Sequence, residues 1–327
     1  MKKVLIAMSG GIDSSVAAYL LKKKGFKPIG VHFKFWPLEN KCCSLGSENK
    51  AREICEKLKI PFYVFSLQKE FKKEIIKPFL TSLTLNITPN PCIWCNKKIK
   101  FKILEKYRKL LKADYVATGH YALIKQVFLY RAKDKKKDQS YFLWQVNNFE
   151  KVLFPLGNLF KKEVMDLAKK NNFCFSNTKE SQEICFIPDK IEDFLKKNLK
   201  EKKGNIIFNN KIIGFHKGLF YYTIGQRKGI NLSNGPFYVL KKDHKKNILF
   251  VTKDKKELEK NYLMMKNVRW FKKASSCLAQ IRYQSSLVPV IIKDKKVIFK
   301  KPQTAVTPGQ SIVFYKNNQV LGGGIIT

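Results

Sequence analysis

The stretch Lys3–Met8 (KVLIAM), followed at once by Ser9–Ser15 (SGGIDSS), decides the fold of the N-terminal half of this chain. A short apolar run that ends in a turn signal is typical of a buried strand, and the residues from Ser14 to about Lys24 follow a helical pattern. Paired glycines permit backbone conformations denied to other residues, and the unpaired N–H groups at a helix start attract anions. The sequence therefore predicts a strand–loop–helix unit that binds a phosphate-bearing ligand.

Two better-known phosphate loops do not describe this stretch. The lysine of GxxxxGK is missing, and the glycine spacing is not GxGxxG. A tight turn capped by Asp13 or Ser14, with no ligand, is the structural alternative. Two glycines followed by Asp-Ser-Ser between a clean strand and a helix disfavour that alternative.

Outward from this unit, apolar runs alternate with amphipathic stretches over about two hundred residues. Strands are predicted at Pro28–Phe33, Pro61–Ser66 and Asp114–Thr118, and helices at Glu48–Leu58, Gln68–Leu80 and Asn96–Leu111. This alternation predicts α/β architecture with a doubly wound parallel sheet. From about Gly204 the runs become short and β-rich with regular spacing, which predicts two small β-rich domains, the last a β-barrel. The expected domains are 1–200, 201–262 and 263–327.

Composition limits the class of protein and its partners. The 327 residues carry a formal net charge of +40, and only six of the 65 basic residues are arginine. A polyanionic partner and a compositionally biased genome both explain such a lysine excess, and composition alone leaves both open. No apolar run reaches the roughly 18 residues of a membrane span, and the N-terminal run is too short for a signal peptide. Eight scattered cysteines are typical of a reduced chain, so we expect a cytoplasmic protein without a membrane partner.

Two cysteine motifs carry candidate chemistry. Asn90–Phe101 (NPCIWCNKKIKF) places Cys95 directly before the predicted helix, where a thiol beside lysines is a better nucleophile. Cys92 and Cys95 also form a CxxC pair, which is typical of half a zinc site or of a redox pair. A zinc site needs two more ligands, and no second CxxC exists. Cys185, in the segment ESQEICFIP, would by itself be interpreted as buried filler.

These motifs together resemble a known family. SGGIDSS is similar to the PP-loop of the N-type ATP pyrophosphatases, which resemble adenine nucleotide alpha hydrolases in fold and cleave ATP between its α and β phosphates. With NPCIWCNKKIKF and SQEICFI, the matching stretches are CCSLGSENKAREICEKLKIPFYV, ADYVATGHYA, KDQSYFLW, GFHKGLFYYTIGQRKGI, IRYQ and TAVTPGQSIVFY. In this order they resemble the tRNA-specific 2-thiouridylase family over essentially the whole chain.

The resemblance implies a role for individual residues. It implies Cys95 as the nucleophile and Cys185 as the persulfide carrier, with Asp13 positioning Mg²⁺. The implied ATP contacts are Ala7, Met8, Ser9, Gly10, Gly11, Ile12, Asp13, Ser14, Phe33 and Gly119. The implied contacts with tRNA are Asn90, Pro91 and Cys92 at the target uridine, and His120, Lys137, Asp138, Gln139, Arg282, Tyr283 and Gln310 elsewhere.

The implied reaction is ATP-dependent 2-thiolation of the wobble uridine in tRNAs for Lys, Glu and Gln. The uracil C2 oxygen is adenylated with release of pyrophosphate, and sulfur then comes from the persulfide with release of AMP. A cysteine desulfurase or a sulfur-relay protein would load Cys185. Domain 1–200 would be catalytic, and 201–262 would bind tRNA.

One position departs from many relatives, and it leaves an alternative open. Cys92 stands where many members carry an aspartate that has been suggested as a general acid or base. Cys92, Cys95 and Cys185 could instead hold an iron–sulfur cluster together. A persulfide route without a cluster is the main expectation.

Two other functions compete with thiolation. One is a pyrophosphate-releasing synthetase of the amidotransferase type, acting on a small molecule, which would need neither Cys95 nor Cys185. The other is a non-catalytic RNA-binding protein whose loop binds nothing, which predicts no pyrophosphate release with any substrate.

Overall fold

A computed structural model describes residues 1–35, 45–173, 184–187 and 190–327 of the chain. The α-helices are α1 (Ile12–Lys23), α2 (Leu45–Lys57), α3 (Gln68–Phe71), α4 (Lys77–Thr84), α5 (Pro91–Trp94), α6 (Phe101–Leu110), α7 (Lys161–Lys170) and α8 (Ile191–Asn198). The strands are β1 (Lys3–Ala7), β2 (Lys27–Lys34), β3 (Phe62–Ser66), β4 (Tyr115–Ala117), β5 (Ala122–Lys125), β6 (Phe128–Arg131), β7 (Val152–Leu153), β8 (Gly204–Phe208), β9 (Lys211–His216), β10 (Tyr238–Asp243), β11 (Ile248–Thr252), β12 (Glu259–Trp270), β13 (Ser276–Gln280), β14 (Val288–Lys293), β15 (Lys296–Thr304), β16 (Ser311–Lys316) and β17 (Gln319–Ile326). Segments Lys72–Ile76 and Cys95–Lys100 are π-helical, and Ser140–Phe142, Leu219–Tyr221 and Lys255–Leu258 are 3-10 turns.

The N-terminal half is built on a five-stranded sheet in the order β3-β2-β1-β4-β7, and every neighbouring pair is parallel. Strand β1 lies at its centre, with Val4, Leu5 and Ile6 fully buried. A strand covered on both faces is apolar throughout, which explains the unbroken KVLIAM run. Side chains of α1, α2 and α7 share one core, whereas α6 packs against β1 and β4 outside that core. The predicted doubly wound α/β fold is confirmed.

The C-terminal part is β-rich, as predicted. Four strands form a sheet in the order β10-β11-β8-β9, in which only β11 and β8 run parallel. Six strands form the series β12-β15-β14-β13-β16-β17, and pairing of β12 with β17 closes it into a barrel. Alternating burial along β14 places Val290 and Ile292 inside the barrel, because side chains of a strand point to opposite faces. The final domain is therefore a β-barrel.

The chain divides into two compact units. The first contains Met1–Ile76, Pro91–Pro188 and Asn317–Val320, and the second contains Lys77–Asn90, Asp189–Lys316 and Leu321–Thr327. Cys95, Cys185 and the glycine loop after β1 all belong to the first unit. The boundaries 1–200, 201–262 and 263–327 stay a prediction. Over the described part of the chain, no helix is long and apolar enough to cross a membrane.

Candidate active site

The predicted strand–loop–helix unit is present, and we call Ser9–Ser15 the anion loop. The hydroxyls of Ser14 and Ser15 both donate to the Gly11 carbonyl at 3.0 Å, and the Ser9 N–H donates to Ser14 Oγ at 3.2 Å. Gly11 itself is extended and precedes the first helical residue, Ile12. These bonds hold the buried Ser14 and Ser15 side chains against the loop's own backbone. The N–H groups of the first helical turn have no partner within the helix, so this end of α1 suits a phosphate.

Two glycines let other backbone approach the anion loop. Gly10 has φ +75°, and a Cβ there would collide with the Ser47 carbonyl oxygen at the start of α2. A Cβ on Gly119 would lie 2.8 Å from the backbone nitrogen of Ser14. Neither position has room for a side chain. The loop is therefore fixed by close backbone packing on two sides.

The strand β2 supports the loop from a neighbouring position. Met8 donates its N–H to the Val31 carbonyl at 2.7 Å, and its own carbonyl accepts a hydrogen bond from His32 Nδ1 at 2.8 Å. Burial is the main cause that lowers the pKa of His32. Phe33, an expected ATP contact, is buried and packs against the rings of Phe35 and Phe65.

The carboxylate of Asp13 has partners from distant parts of the chain. Its Oδ1 accepts hydrogen bonds from Tyr121 Oη at 2.8 Å and from Lys161 Nζ at 2.7 Å. Lys161 is the first residue of α7, and its side chain is mostly buried. Across the described residues, no group of three or more His, Cys, Asp or Glu side chains is arranged to hold a metal. A metal at Asp13 would thus need most of its ligands from a bound phosphate and water.

The helix that carries Cys95 begins earlier than the sequence suggested. Helix α5 starts at Pro91 and runs without a break through the π-helical segment Cys95–Lys100 into α6. Proline is favoured at a first helical position, because its missing N–H has no partner there anyway. The expectation that Cys95 precedes the helix was therefore wrong. Cys92 occupies the helix N-terminus instead, and Cys95 lies one turn further on and is only 5% exposed.

The three cysteines of interest are all thiols. Cys92, Cys95 and Cys185 are free of disulfide bonds, and Cys92 and Cys185 are half-buried. Residue Phe186, next to Cys185, packs edge-on against Phe71. The three cysteines do not form a metal-binding group in the described structure. The iron–sulfur alternative thus finds no assembled ligand set here. Cys42 and Cys43 lie outside the described residues.

Six expected tRNA contacts lie in the first unit, and Asp138 and Gln139 among them are held by several hydrogen bonds. The Asp138 carboxylate is buried and accepts hydrogen bonds from Arg131 Nε, the Ala132 N–H and both the N–H and the hydroxyl of Ser140, at 2.9–3.2 Å. Gln139 forms a two-way pair with the backbone of Tyr121, at 3.0 and 2.8 Å. Lys137 is half-buried nearby. Their contact with tRNA stays a prediction.

His120 is another of these residues, and its imidazole lies among aromatic rings. Its Nδ1 lies 2.7 Å from Thr118 Oγ1, and its ring packs near Phe101 and Phe154. Burial, aided by the charge of Lys100, lowers the pKa of His120 to about 3. An RNA contact by this ring would therefore be a neutral one.

The remaining expected contacts lie in the second unit, except for Pro91 and Cys92. Arg282 is exposed in a turn after β13, where its backbone exchanges hydrogen bonds with Ser285, and Tyr283 follows it. Gln310 donates from Nε2 to the carbonyl of Thr88 at 2.9 Å, and Thr88 is two residues before Asn90 in the sequence. Exposure suits Arg282 to a phosphate contact, whereas the Gln310 amide is already engaged.

Two residues of the site were not predicted from the sequence. Tyr121 and Lys161 are separated from Asp13 by 108 and 148 residues, and both contact its carboxylate. Tyr121 follows His120 in the GHYA stretch, so proximity to an expected site residue was a weak hint. Lys161 opens a lysine-rich helix and resembles many other surface lysines in sequence.

The fold and the site together define an α/β nucleotide-loop protein of the PP-loop class with free thiols in the same unit. Three family models match the chain in succession: a tRNA methyl transferase HUP domain over residues 2–189, a tRNA methyl transferase PRC-barrel domain over 192–253, and an aminomethyltransferase beta-barrel domain over 260–326.

Relatives match over nearly their full length. The chain is 42% identical to the tRNA-specific 2-thiouridylase MnmA of Halothermothrix orenii, covering 100% of this chain and 99% of that protein. Identity to the MnmA proteins of Buchnera aphidicola and Clostridium beijerinckii is 40% and 41%, over 99% of this chain and 96% and 98% of theirs.

This protein belongs to the tRNA-specific 2-thiouridylase family, which confirms the resemblance inferred from its motifs. A solved 4-thiouridine synthetase–RNA complex with bound ATP is a weaker match, with 21% identity and a TM-score of 0.40 over 53% of this chain and 41% of that one.

Proposed function

We propose that this protein is a tRNA-uridine 2-sulfurtransferase, which uses ATP to replace the C2 oxygen of the wobble uridine in tRNA with sulfur. The observation that carries the proposal is one compact unit that contains both the anion loop and two free thiols, Cys95 and Cys185. Full-length similarity to 2-thiouridylases supports it. The descriptions of the matching families name methyl transfer, but a phosphate loop and two thiols in one compact unit suit sulfur transfer better.

The first step activates a poor electrophile. The uracil C2 oxygen attacks the α-phosphorus of ATP, the bond between the α-phosphorus and the bridging oxygen breaks, and pyrophosphate leaves. The expected ATP contacts are the anion loop with Ala7 and Met8, together with Phe33 and Gly119. The first-turn N–H groups of α1 would stabilise the charge that develops on the departing pyrophosphate.

The second step transfers sulfur and conserves atoms and electrons. A persulfide on Cys185 attacks C2, and AMP leaves with the original oxygen. The Cys95 thiolate then attacks the Cys185 sulfur, and the broken S–S bond leaves its electron pair on the sulfur at C2. A Cys95–Cys185 disulfide results, which a thiol reductant must reduce before the next cycle. A variant route, in which Cys95 first liberates hydrosulfide, uses the same two residues.

An Mg²⁺ ion fits at the anion loop only if substrate phosphates supply some of its ligands. Asp13 offers a half-exposed carboxylate whose Oδ1 accepts hydrogen bonds from Tyr121 and Lys161, and its Oδ2 would bind the cation. Mg²⁺ is commonly held by one or two carboxylates together with substrate phosphates. When bound, it would neutralise phosphate charge. Lys161 and Tyr121 would meanwhile hold the Asp13 carboxylate in one orientation.

The partners follow from the reaction. The substrate is tRNA, with the lysine, glutamate and glutamine acceptors as the expected set, and the sulfur comes from a cysteine desulfurase or a relay protein in the cytoplasm. Asn90, Pro91 and Cys92 would meet the target base, and residues 201–262 would add tRNA contacts. No residue is assigned the acid or base role at Cys92.

Incubation of the protein with tRNA, ATP, Mg²⁺ and a persulfide donor, followed by nucleoside mass spectrometry, tests the proposal. We expect uridine in which one oxygen is replaced by sulfur, together with one pyrophosphate and one AMP per modified base. A methylated nucleoside or no modification would refute thiolation. Pyrophosphate release with a small acceptor and no tRNA would favour a small-molecule synthetase.

A further inference from the structure

The residue after Cys95 has an unusual environment. Asn96 is 2% exposed and lies in the π-helical segment Cys95–Lys100. Its Nδ2 donates to the carbonyl oxygen of Phe142 at 3.1 Å, while its Oδ1 is buried without a hydrogen-bond partner. Rotating the amide would bring two acceptor oxygens together, so the observed orientation is the one that the contact permits.

This half-satisfied amide is costly for folding. Leaving a buried polar atom unpaired costs about 1–3 kcal/mol, so an apolar side chain would be the more stable choice at a position that served only packing. A π-helical turn is also less common than an α-turn and is frequent at functional sites. Both features occur directly beside the proposed nucleophile.

The partner of Asn96 belongs to a firmly held segment. Phe142 ends the 3-10 turn Ser140–Phe142, whose first residue is fixed by the buried Asp138 carboxylate. The preceding Gln139 pairs with the backbone of Tyr121. Tyr121 in turn donates to Asp13 of the anion loop. Hydrogen bonds and short stretches of the chain therefore connect the anion loop to the π-helical turn that carries Cys95.

We infer that Asn96 is a positioning residue for Cys95. Its amide fixes the π-helical segment Cys95–Lys100 to the turn Ser140–Phe142, which is connected through Gln139 and Tyr121 to Asp13 of the anion loop. The thiol is thereby held at a fixed position relative to the site of adenylation. The role in sulfur transfer rests on the proposed function. Asn96 does not touch the reacting atoms and acts through Cys95 and the backbone of Phe142.

The test compares Asn96→Ala with Asn171→Ala. Asn171 makes a bond of the same type, from Nδ2 to the Leu167 carbonyl at 2.8 Å, at the C-terminal end of α7. For Asn96→Ala we expect the single-turnover rate of thiolation to fall about 10- to 100-fold, since a displacement of about 1 Å near the chemistry can cost that much. The KM for tRNA and the rate of pyrophosphate release should stay within about twofold of those of Asn171→Ala.

A parallel fall of thiolation, pyrophosphate release and melting temperature would show a merely structural role and overturn the inference. A thiolation rate equal to that of Asn171→Ala would overturn it as well. A second measurement does not depend on the reaction: iodoacetamide labelling of Cys95, with the fully buried Cys55 as the internal standard.

In Asn96→Ala we expect Cys95 to label about tenfold faster than in Asn171→Ala, because its turn has lost its anchor. Equal labelling of Cys95 in the two variants would overturn the inference. If the wild-type protein thiolates no tRNA, the proposed function fails, and the labelling comparison still decides whether Asn96 positions the thiol.

Discussion

The anion loop and the thiol-bearing turn both stand at the start of a helix in the first unit, yet they satisfy their polar atoms differently. In the anion loop, the hydroxyls of Ser14 and Ser15 share one carbonyl, and glycines admit neighbouring backbone from two sides. In the thiol turn, the Asn96 amide has one bond and one buried atom without a partner. The loop is held by its own hydroxyls and by close packing of neighbouring backbone, whereas the turn is anchored by one side-chain amide.

This difference suggests how each region contributes. A loop held by close backbone packing is preorganised, so its ligand loses little free energy in ordering it. A turn anchored through one side-chain amide depends on that amide for the position of its thiol. Changes in the loop should therefore act on nucleotide binding, and changes in the turn on sulfur transfer.

The largest effect is expected when the proposed persulfide carrier is removed. Serine cannot carry a persulfide, so Cys185→Ser should lower thiolation by at least about 1,000-fold, as knockouts of nucleophiles do. Binding of tRNA, measured by filter retention, should not change. Cys277→Ser, at a free cysteine on β13 of the barrel, is the matched control and should keep wild-type activity. Thiolation by Cys185→Ser at the control rate would exclude Cys185 as the carrier.

A smaller but clear effect is expected from a methyl group in the anion loop. Gly10 and Gly25 both have positive φ, at +75° and +80°, but only at Gly10 would a Cβ collide with backbone. Gly25→Ala should thus cost about 1 kcal/mol of strain alone, visible as a small fall in melting temperature. Gly10→Ala should also displace the loop from α2 and weaken ATP binding, measured by calorimetry, by about 100-fold. Equal ATP affinity in the two variants would contradict the idea that close packing shapes the loop.

The fold could be predicted from the sequence because the signals that determine it are local. The KVLIAM run, the paired glycines and the following serines lie within about a dozen residues, and each constrains the backbone directly. The start of the Cys95 helix was missed although Pro91 is a favourable first residue, because the lysine-rich stretch after Cys95 gave the stronger helical pattern. The π-helical segment has no sequence signature, since its extra residue is accommodated by tertiary contacts such as that of Asn96 with Phe142.

The partners of Asp13 could not be predicted for a related reason. Tyr121 and Lys161 reach the carboxylate only because the parallel sheet brings β1, the region after β4 and the start of α7 together. Lys161 is one of 59 lysines, and composition does not single it out as the one that pairs with Asp13 at the site. The overall charge favours a polyanionic partner, but it does not indicate which lysine contacts Asp13.

The smallest expected effect concerns stability and pH at His120. Burial lowers the pKa of His120 to about 3, whereas a histidine in an unfolded chain titrates near 6.5. Between these values the unfolded chain binds a proton that folded His120 does not, so the free energy of unfolding falls as pH is lowered. At pH 5 this costs up to about 2 kcal/mol. Burial also lowers the pKa values of His32 and His216, which therefore contribute in the same direction. The contribution of His120 is obtained by comparing the variant with the wild type. From pH 7 to 5, His120→Gln should lose less stability than the wild type in urea unfolding, and equal losses would show that His120 is protonated in the fold.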